Sequence, residues 1–174
     1  MKNFQISVKF GLITGLVLIL YSVIIYLTNV NIFSPMVSIT NMLVNFVFLI
    51  VMAVLAIRKT RDEAFGGKIS YSNALIAGFL LMLVSGYLGA LYNYVFATAI
   101  DPGYISAQMS NFIDSMEGKL PEDALDKMID SIEENINPSR QLMRSAWITP
   151  IFALVVSAIA AAAIKKDTTN EFPA

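Results

Sequence analysis

The fold is decided by an uncharged run at residues 36–57, which reads MVSITNMLVNFVFLIVMAVLAI. As an α-helix this run would rise about 33 Å, which is close to the hydrocarbon thickness of a bilayer. It stops abruptly at Arg58, Lys59 and Arg61, and Pro35 precedes it at a position where the start of a helix tolerates proline. We therefore predict that this segment crosses a membrane.

Three further uncharged runs lie at residues 10–27, 74–100 and 147–164. The first is longer than the apolar part of a signal peptide, and no small-x-small cleavage site follows it, so we interpret it as an anchor. Of all residues 56% are hydrophobic and 14% are charged, an apolar share above that of soluble domains. The sequence predicts an all-α integral membrane protein, a four-helix bundle in which residues 1–174 form one membrane domain with spans at about 10–27, 36–57, 74–100 and 147–164.

The connection between the third and fourth spans, residues 101–146, holds nine acidic and four basic residues. Apolar residues recur in it at helical spacing in two stretches, separated by Gly118 to Pro121. We predict that this insert is an acidic helical hairpin outside the membrane. The apolar stripes of the two helices could pack against each other, against the membrane surface or against a second protein. The membrane surface is the least favourable of the three, because anionic headgroups repel an acidic hairpin. The candidate interaction surface comprises Ile105, Met109, Phe112, Leu125, Met128 and Ile132.

Basic residues are distributed unevenly between the two sides of the predicted four-span topology. Those before the first span, between the second and third, and after the fourth are Lys2, Lys9, Arg58, Lys59, Arg61, Lys68, Lys165 and Lys166. The opposite side holds an uncharged loop at residues 28–35 and the acidic hairpin. By the positive-inside rule we predict that both termini lie in the cytoplasm and that the hairpin is extracytoplasmic.

Small residues recur every fourth position in three of the predicted spans, which allows helix backbones to approach each other closely in a membrane. The helix-packing candidates are Gly11, Gly15, Ser85, Gly86, Gly89, Ala153, Ser157 and Ala161. We expect them to make contacts within one bundle, because four spans must first pack together. Contacts between subunits are the alternative.

Several classes of chemistry are disfavoured by what the chain lacks. It has no cysteine and no histidine, which removes disulfides, thiolate nucleophiles, zinc sites and the usual general base. The predicted spans hold no carboxylate, Lys or Arg, the residues that normally mark an ion or proton path. The acidic residues of the insert lack the alternating pattern of a calcium loop. We predict no metal site, no cofactor, no nucleic-acid partner and no enzymatic activity.

The stretch from Arg58 to Gly78 contains Gly66-Gly67-Lys68-Ile69-Ser70-Tyr71 and leads into the third span. It resembles an uncharacterised family of bacterial four-span membrane proteins called domain of unknown function 4199. The resemblance covers nearly the whole chain and implies a multi-pass protein of the bacterial inner membrane, without a catalytic or ligand residue to carry over. In physical terms, the two glycines would permit left-handed backbone, and Ser70 or Ser72 would cap the incoming helix.

Two hypotheses of function follow. The first is a non-enzymatic envelope protein, embedded in membrane lipid, whose external hairpin contacts a second copy of itself or another envelope protein. The second is a small oligomeric transporter or permeation component, with a path lined by the small-residue faces and by the amides of Asn41, Asn45 and Asn93. Amides that bond across helices, without any path, would also account for these three residues.

Overall fold

The computed structural model of the protein describes residues 4–119 and 121–164 and, of residues 122 and 132–135, the backbone. All regular structure in these residues is helical. The helices are α1 (Gln5–Leu27), α2 (Pro35–Ala64), α3 (Tyr71–Val95), α4 (Tyr104–Met116), α5 (Glu122–Ile136) and α6 (Pro138–Ile164), and a π-helical turn, Phe96–Ile100, continues α3.

Helix boundaries follow local signals in the sequence. Ser70 precedes α3 and its hydroxyl accepts a hydrogen bond from the backbone amide of Asn73 (3.3 Å), while Gly66 and Gly67 in the turn before it have positive φ. The carboxamide of Asn137 accepts from the backbone amide of Arg140 (3.1 Å) and so caps α6 at its start. The last helix therefore begins well before the apolar run at 147–164.

Four of the helices are long and apolar enough to cross a membrane: α1, α2, α3 with its π-helical turn, and α6. Large apolar side chains cover their outer surfaces, including Leu27 at 73% exposure, Met36 at 80% and Trp147 at 79%. A surface this apolar is unfavourable in water over the whole length of a bundle and favourable in lipid. The predicted all-α fold with four membrane-spanning helices is confirmed.

The core occupies one half of the bundle, which we call the packed half: the first turns of α1 and α3 and the last turns of α2 and α6. It is built mainly from small side chains, such as Ala53, Ala77 and Ala161, around Ile57 and Leu81. In lipid, helices associate through close backbone contact rather than through the hydrophobic effect, and alanine allows that contact.

Two polar interactions join neighbouring helices, one of them buried and the other exposed. Ser7 and Thr60 share a buried hydrogen bond of 3.0 Å in the packed half. Farther along, Pro150 lies inside α6, and a proline there leaves the carbonyl four residues earlier without its helical donor. That carbonyl belongs to Ala146, and the Tyr87 hydroxyl of α3 donates to it at 3.2 Å. The proline is therefore neither the start of the helix nor an uncompensated break in it.

Candidate binding cavity

A cavity of about 430 Å³ lies in the other half of the bundle, which we call the cavity half: the last turns of α1 and α3 and the first turns of α2 and α6. Its wall contains side chains of all four long helices and Ile32 from the loop between α1 and α2. The lining residues are Leu18, Ile19, Tyr21, Ser22, Ile25, Ile32, Asn41, Asn45, Ser85, Gly86, Gly89, Ala90, Tyr92, Asn93 and Ser145. None of them carries a charge.

Three asparagines meet in this cavity together with Tyr21. Asn41 and Asn45 lie one turn apart on α2, so they share a face of that helix. The Tyr21 hydroxyl donates to Oδ1 of Asn41 (2.7 Å), and Nδ2 of Asn45 donates to the backbone carbonyl of Asn41 (2.7 Å). Asn93 completes the group from α3. The structure thus brings together the three amides that the transporter hypothesis names.

These amides retain hydrogen-bonding capacity toward the cavity. Within the residues that the structure describes, Nδ2 of Asn41 and Oδ1 of Asn45 make no hydrogen bond, and neither does the side chain of Asn93. Asn41 and Asn45 are half-buried and Asn93 is exposed, so these groups are accessible from the cavity. The cavity therefore offers both donors and acceptors to a polar molecule that enters it.

The glycine positions of the predicted small-residue faces fall into two groups. A Cβ on Gly11 would lie 2.8 Å from the carbonyl oxygen of Leu81, and a Cβ on Gly15 would lie 2.8 Å from the Leu88 side chain, so both glycines bring α1 against α3. A Cβ on Gly86 would lie 2.5 Å from Cγ2 of Thr149 in α6. These contacts lie within one chain.

Gly89 is different, because a Cβ there would meet nothing within 4 Å. The expected close helix contact is absent at this position, and Gly89 borders the cavity instead. Its spacing from Ser85 matches that of a packing motif, but the neighbouring helix does not approach it. The motif therefore predicted the wrong environment for this residue.

In α6, the predicted packing residues Ala153, Ser157 and Ala161 are fully buried. The surface facing Ser157 is Gly78, where a Cβ would lie 3.1 Å from the Ser157 side chain and 3.3 Å from Ile57. Sequence reasoning missed Gly78 as a packing residue. The signal was present, since Ala74 and Gly78 have the same four-residue spacing as the motifs that were recognised.

The insert packs onto the loop between α1 and α2. Nε2 of Gln108 donates to Oδ1 of Asn29 (3.0 Å), Nδ2 of Asn31 donates to the backbone carbonyl of Gln108 (3.1 Å), and the rings of Phe33 and Phe112 lie 6.4 Å apart. Asn29 adopts a positive φ of 49°, which asparagine tolerates better than most residues. The loop that α4 holds is the one that contributes Ile32 to the cavity wall.

Residues of the candidate interaction surface divide between the two insert helices. Met109 and Phe112 of α4 are buried within the chain, and Ile105 is half-buried. Leu125 and Met128 of α5 are half-buried, and the Ile132 side chain lies outside the described residues. On α4, then, most of this surface is covered by the chain's own residues.

An aromatic cluster joins the insert to α1 and to the π-helical turn. The ring of Tyr26 lies 5.1 Å from that of Phe96 and 4.9 Å from that of Tyr104, both edge-to-face. The Tyr26 hydroxyl donates to Oδ2 of Asp101 (3.1 Å). Burial raises the pKa of the Tyr104 phenol above its usual 10.0, with smaller contributions from charge repulsion by Tyr26 and then by Asp101.

Four long apolar helices around an uncharged cavity define this protein as a multi-span α-helical membrane protein. The chain belongs to the family described as Protein of unknown function (DUF4199), whose model matches residues 9–166. The resemblance noted for the stretch from Arg58 to Gly78 is thereby confirmed. Comparisons with curated proteins and with solved structures gave no match.

Proposed function

We propose that this protein is a non-enzymatic transporter or permeation component of the bacterial inner membrane, with both termini in the cytoplasm and with the cavity as its solute-binding site. The observation that carries the proposal is the meeting of Tyr21, Asn41, Asn45 and Asn93 in one uncharged cavity. Intramembrane polar side chains are expensive, and amides whose donors and acceptors face a cavity are suited to uncharged, hydrogen-bonding solutes.

The direction of access follows from the unequal packing of the two halves. On the predicted orientation, the cavity half faces the extracytoplasmic side and the packed half faces the cytoplasm. In that orientation, the Ser7–Thr60 hydrogen bond and the buried alanines would lie on the cytoplasmic side. The proposal therefore takes the described conformation as open toward the outside.

The envelope-contact hypothesis has less support from the described contacts. Met109 and Phe112, two of its central residues, are already buried within the chain. A surface for itself or for another protein would have to lie mainly on α5, where Leu125 and Met128 are half-buried. We therefore rank the cavity above the hairpin as the functional site.

Cysteine accessibility tests the proposal directly, because the chain contains no native cysteine. Ser22→Cys and Ser145→Cys would place a thiol in the cavity wall, and Ser157→Cys would place one in the packed half. We expect a membrane-impermeant maleimide added outside spheroplasts to label the two cavity variants and to leave Ser157→Cys unlabelled until the protein is denatured.

The outcomes discriminate between hypotheses. Labelling of the cavity variants only from the cytoplasmic side would overturn the orientation, and no labelling from either side would overturn a water-accessible solute site. Labelling of Ser145→Cys from both sides in everted and right-side-out vesicles would identify a transporter that alternates between two open states.

A further inference from the structure

A second cavity, of about 150 Å³, adjoins the solute site. The two share Leu18, Ser85 and Gly86 in their walls. The smaller cavity extends toward the middle of the bundle and is otherwise lined by apolar side chains and one threonine, namely Leu49, Met82, Ile148, Thr149 and Phe152. A polar chamber near the membrane surface thus meets an apolar chamber deeper in the bilayer.

We propose that the ligand of this protein is an amphiphile with an uncharged polar head and a single apolar chain. This inference rests on the proposed function and deepens it, because it assigns the head to the chamber of Tyr21, Asn41 and Asn45 and the chain to the chamber of Met82 and Phe152. A purely polar solute would leave the apolar chamber unused. A purely apolar one would cover the amides without giving them hydrogen-bond partners, which costs free energy.

The head must be uncharged for two electrostatic reasons. Neither chamber contains a charged side chain, so an ionic head would be desolvated there without a counter-charge. The adjacent insert carries nine acidic against four basic residues, which disfavours the approach of an anion. The hydroxyls of a glycerol-like or sugar-like head match the donors and acceptors that the three asparagines present.

The chain must be single because of the size and shape of the apolar chamber. It has about a third of the volume of the polar one, and Leu49 and Phe152 lie in its wall. A two-chain lipid would have to leave its second chain outside the bundle. A third cavity, lined by Gln141, Arg144, Ser145, Ile148 and Thr149, adjoins both chambers, and because an arginine lies in its wall an anionic single-chain lipid is the competing ligand.

Gly89 allows a steric test that does not depend on losing a hydrogen bond. A Cβ at this position would meet no atom within 4 Å, and Gly89 lies in the cavity wall, so Gly89→Leu places its side chain in the polar chamber. Ala162→Leu adds a similar volume at an exposed position near the end of α6 and serves as the matched control. Asn41→Leu removes a hydrogen-bonding group at nearly constant volume.

The experiment uses the full-length protein in phosphatidylcholine nanodiscs and a monoacylglycerol with a diazirine at the end of its chain. After illumination, cross-linked peptides are mapped by mass spectrometry. We expect cross-links on Met82, Ile148 or Phe152 that unlabelled monoacylglycerol competes away, that Gly89→Leu abolishes and that Ala162→Leu preserves. Asn41→Leu should require about five- to tenfold more probe for half-maximal cross-linking, as the loss of one hydrogen bond implies.

Three results would overturn the inference. Cross-links confined to the outer surfaces of the helices would exclude a chain inside the bundle. Tighter binding of a lysophosphatidylglycerol probe, abolished by Arg144→Gln, would assign an anionic head instead. Equal cross-linking in Gly89→Leu and Ala162→Leu would show that the probe does not bind in the polar chamber. In each case, maleimide labelling of Ser22→Cys would still show whether the solute site exists.

Discussion

The packed half and the cavity half of the bundle are built by the same four helices, yet one is closed and the other open. In α3, Ala77 and Leu81 are fully buried, whereas Gly89 and Asn93, two to four turns later, border open space. In α2, Ala56 belongs to the core and Asn45 to the cavity. Small residues therefore allow tight packing in a membrane bundle only where the neighbouring helix also approaches them closely.

The largest difference between the halves should appear at their glycines. Gly11→Leu would drive a side chain into the Leu81 carbonyl, and backbone cannot move aside as a side chain can, so we expect destabilisation of about 3 kcal/mol. Gly89→Leu should change stability by less than about 1 kcal/mol, since its Cβ meets no atom within 4 Å and the rest of the side chain has the cavity to occupy. Thermal unfolding of the two detergent-solubilised variants measures both changes in stability. Equal melting temperatures would contradict the division of the bundle into a packed half and a cavity half.

A smaller difference is expected for one hydrogen bond in each half. Ser7→Ala leaves the buried Thr60 hydroxyl without a partner and should cost about 1 kcal/mol. Tyr21→Phe removes the bond to Asn41 next to a cavity that water can enter, so its cost should be near zero. The two variants change one hydroxyl each and can be compared in the same unfolding assay. A larger loss for Tyr21→Phe would indicate a dry cavity.

The attachment of α4 is expected to be weaker than either half of the bundle. Gln108 is 3% exposed and joins α4 to Asn29, so Gln108→Leu should loosen α4 by about 1 kcal/mol while the spans stay intact. Hydrogen exchange should rise in α4 and in the loop at residues 28–34. Asn111→Leu is the control, since this α4 residue is exposed. Faster exchange throughout α1 would show that the insert also stabilises the bundle.

The smallest effect concerns pH and the aromatic cluster. The neutral phenol of Tyr104 is favoured in the folded state, because its pKa is raised there. Its contribution to the free energy of unfolding is therefore complete below about pH 10 and is lost as pH rises through the raised pKa. Hydrogen exchange of α4, corrected for its intrinsic pH dependence, should therefore increase above pH 10. Tyr104→Phe removes the ionisable hydroxyl, which makes no hydrogen bond within the described residues. This variant should therefore show a smaller rise in hydrogen exchange above pH 10.

The spans and turns were predictable because their causes are local. Uncharged length predicts a membrane helix whatever surrounds it, and Gly66, Gly67 and Asn137 determine their turns through their own backbone preferences. The family followed from one short stretch. These features require no knowledge of which helices are neighbours.

The cavity was not predictable, because it depends on the register between helices. Periodicity places Asn41 and Asn45 on one face of α2, but it does not bring Tyr21 or Asn93 opposite them. Gly11 and Gly89 belong to similar motifs and differ only in the distance to the next helix. The burial of Met109 likewise depends on polar contacts of Gln108 and Asn31, which an apolar stripe does not reveal.

The hydrogen bond between Tyr87 and Ala146 also bears on how α6 is shared between the two halves. Because Pro150 has no amide hydrogen, α6 lacks one backbone hydrogen bond at this level, and the Tyr87 hydroxyl of α3 donates to the carbonyl that this leaves without its helical donor. Cavity residue Ser145 precedes this level and core residue Ala153 follows it. The weakest level of the α6 backbone ladder therefore lies between the part of the helix that lines the cavity and the part that builds the core.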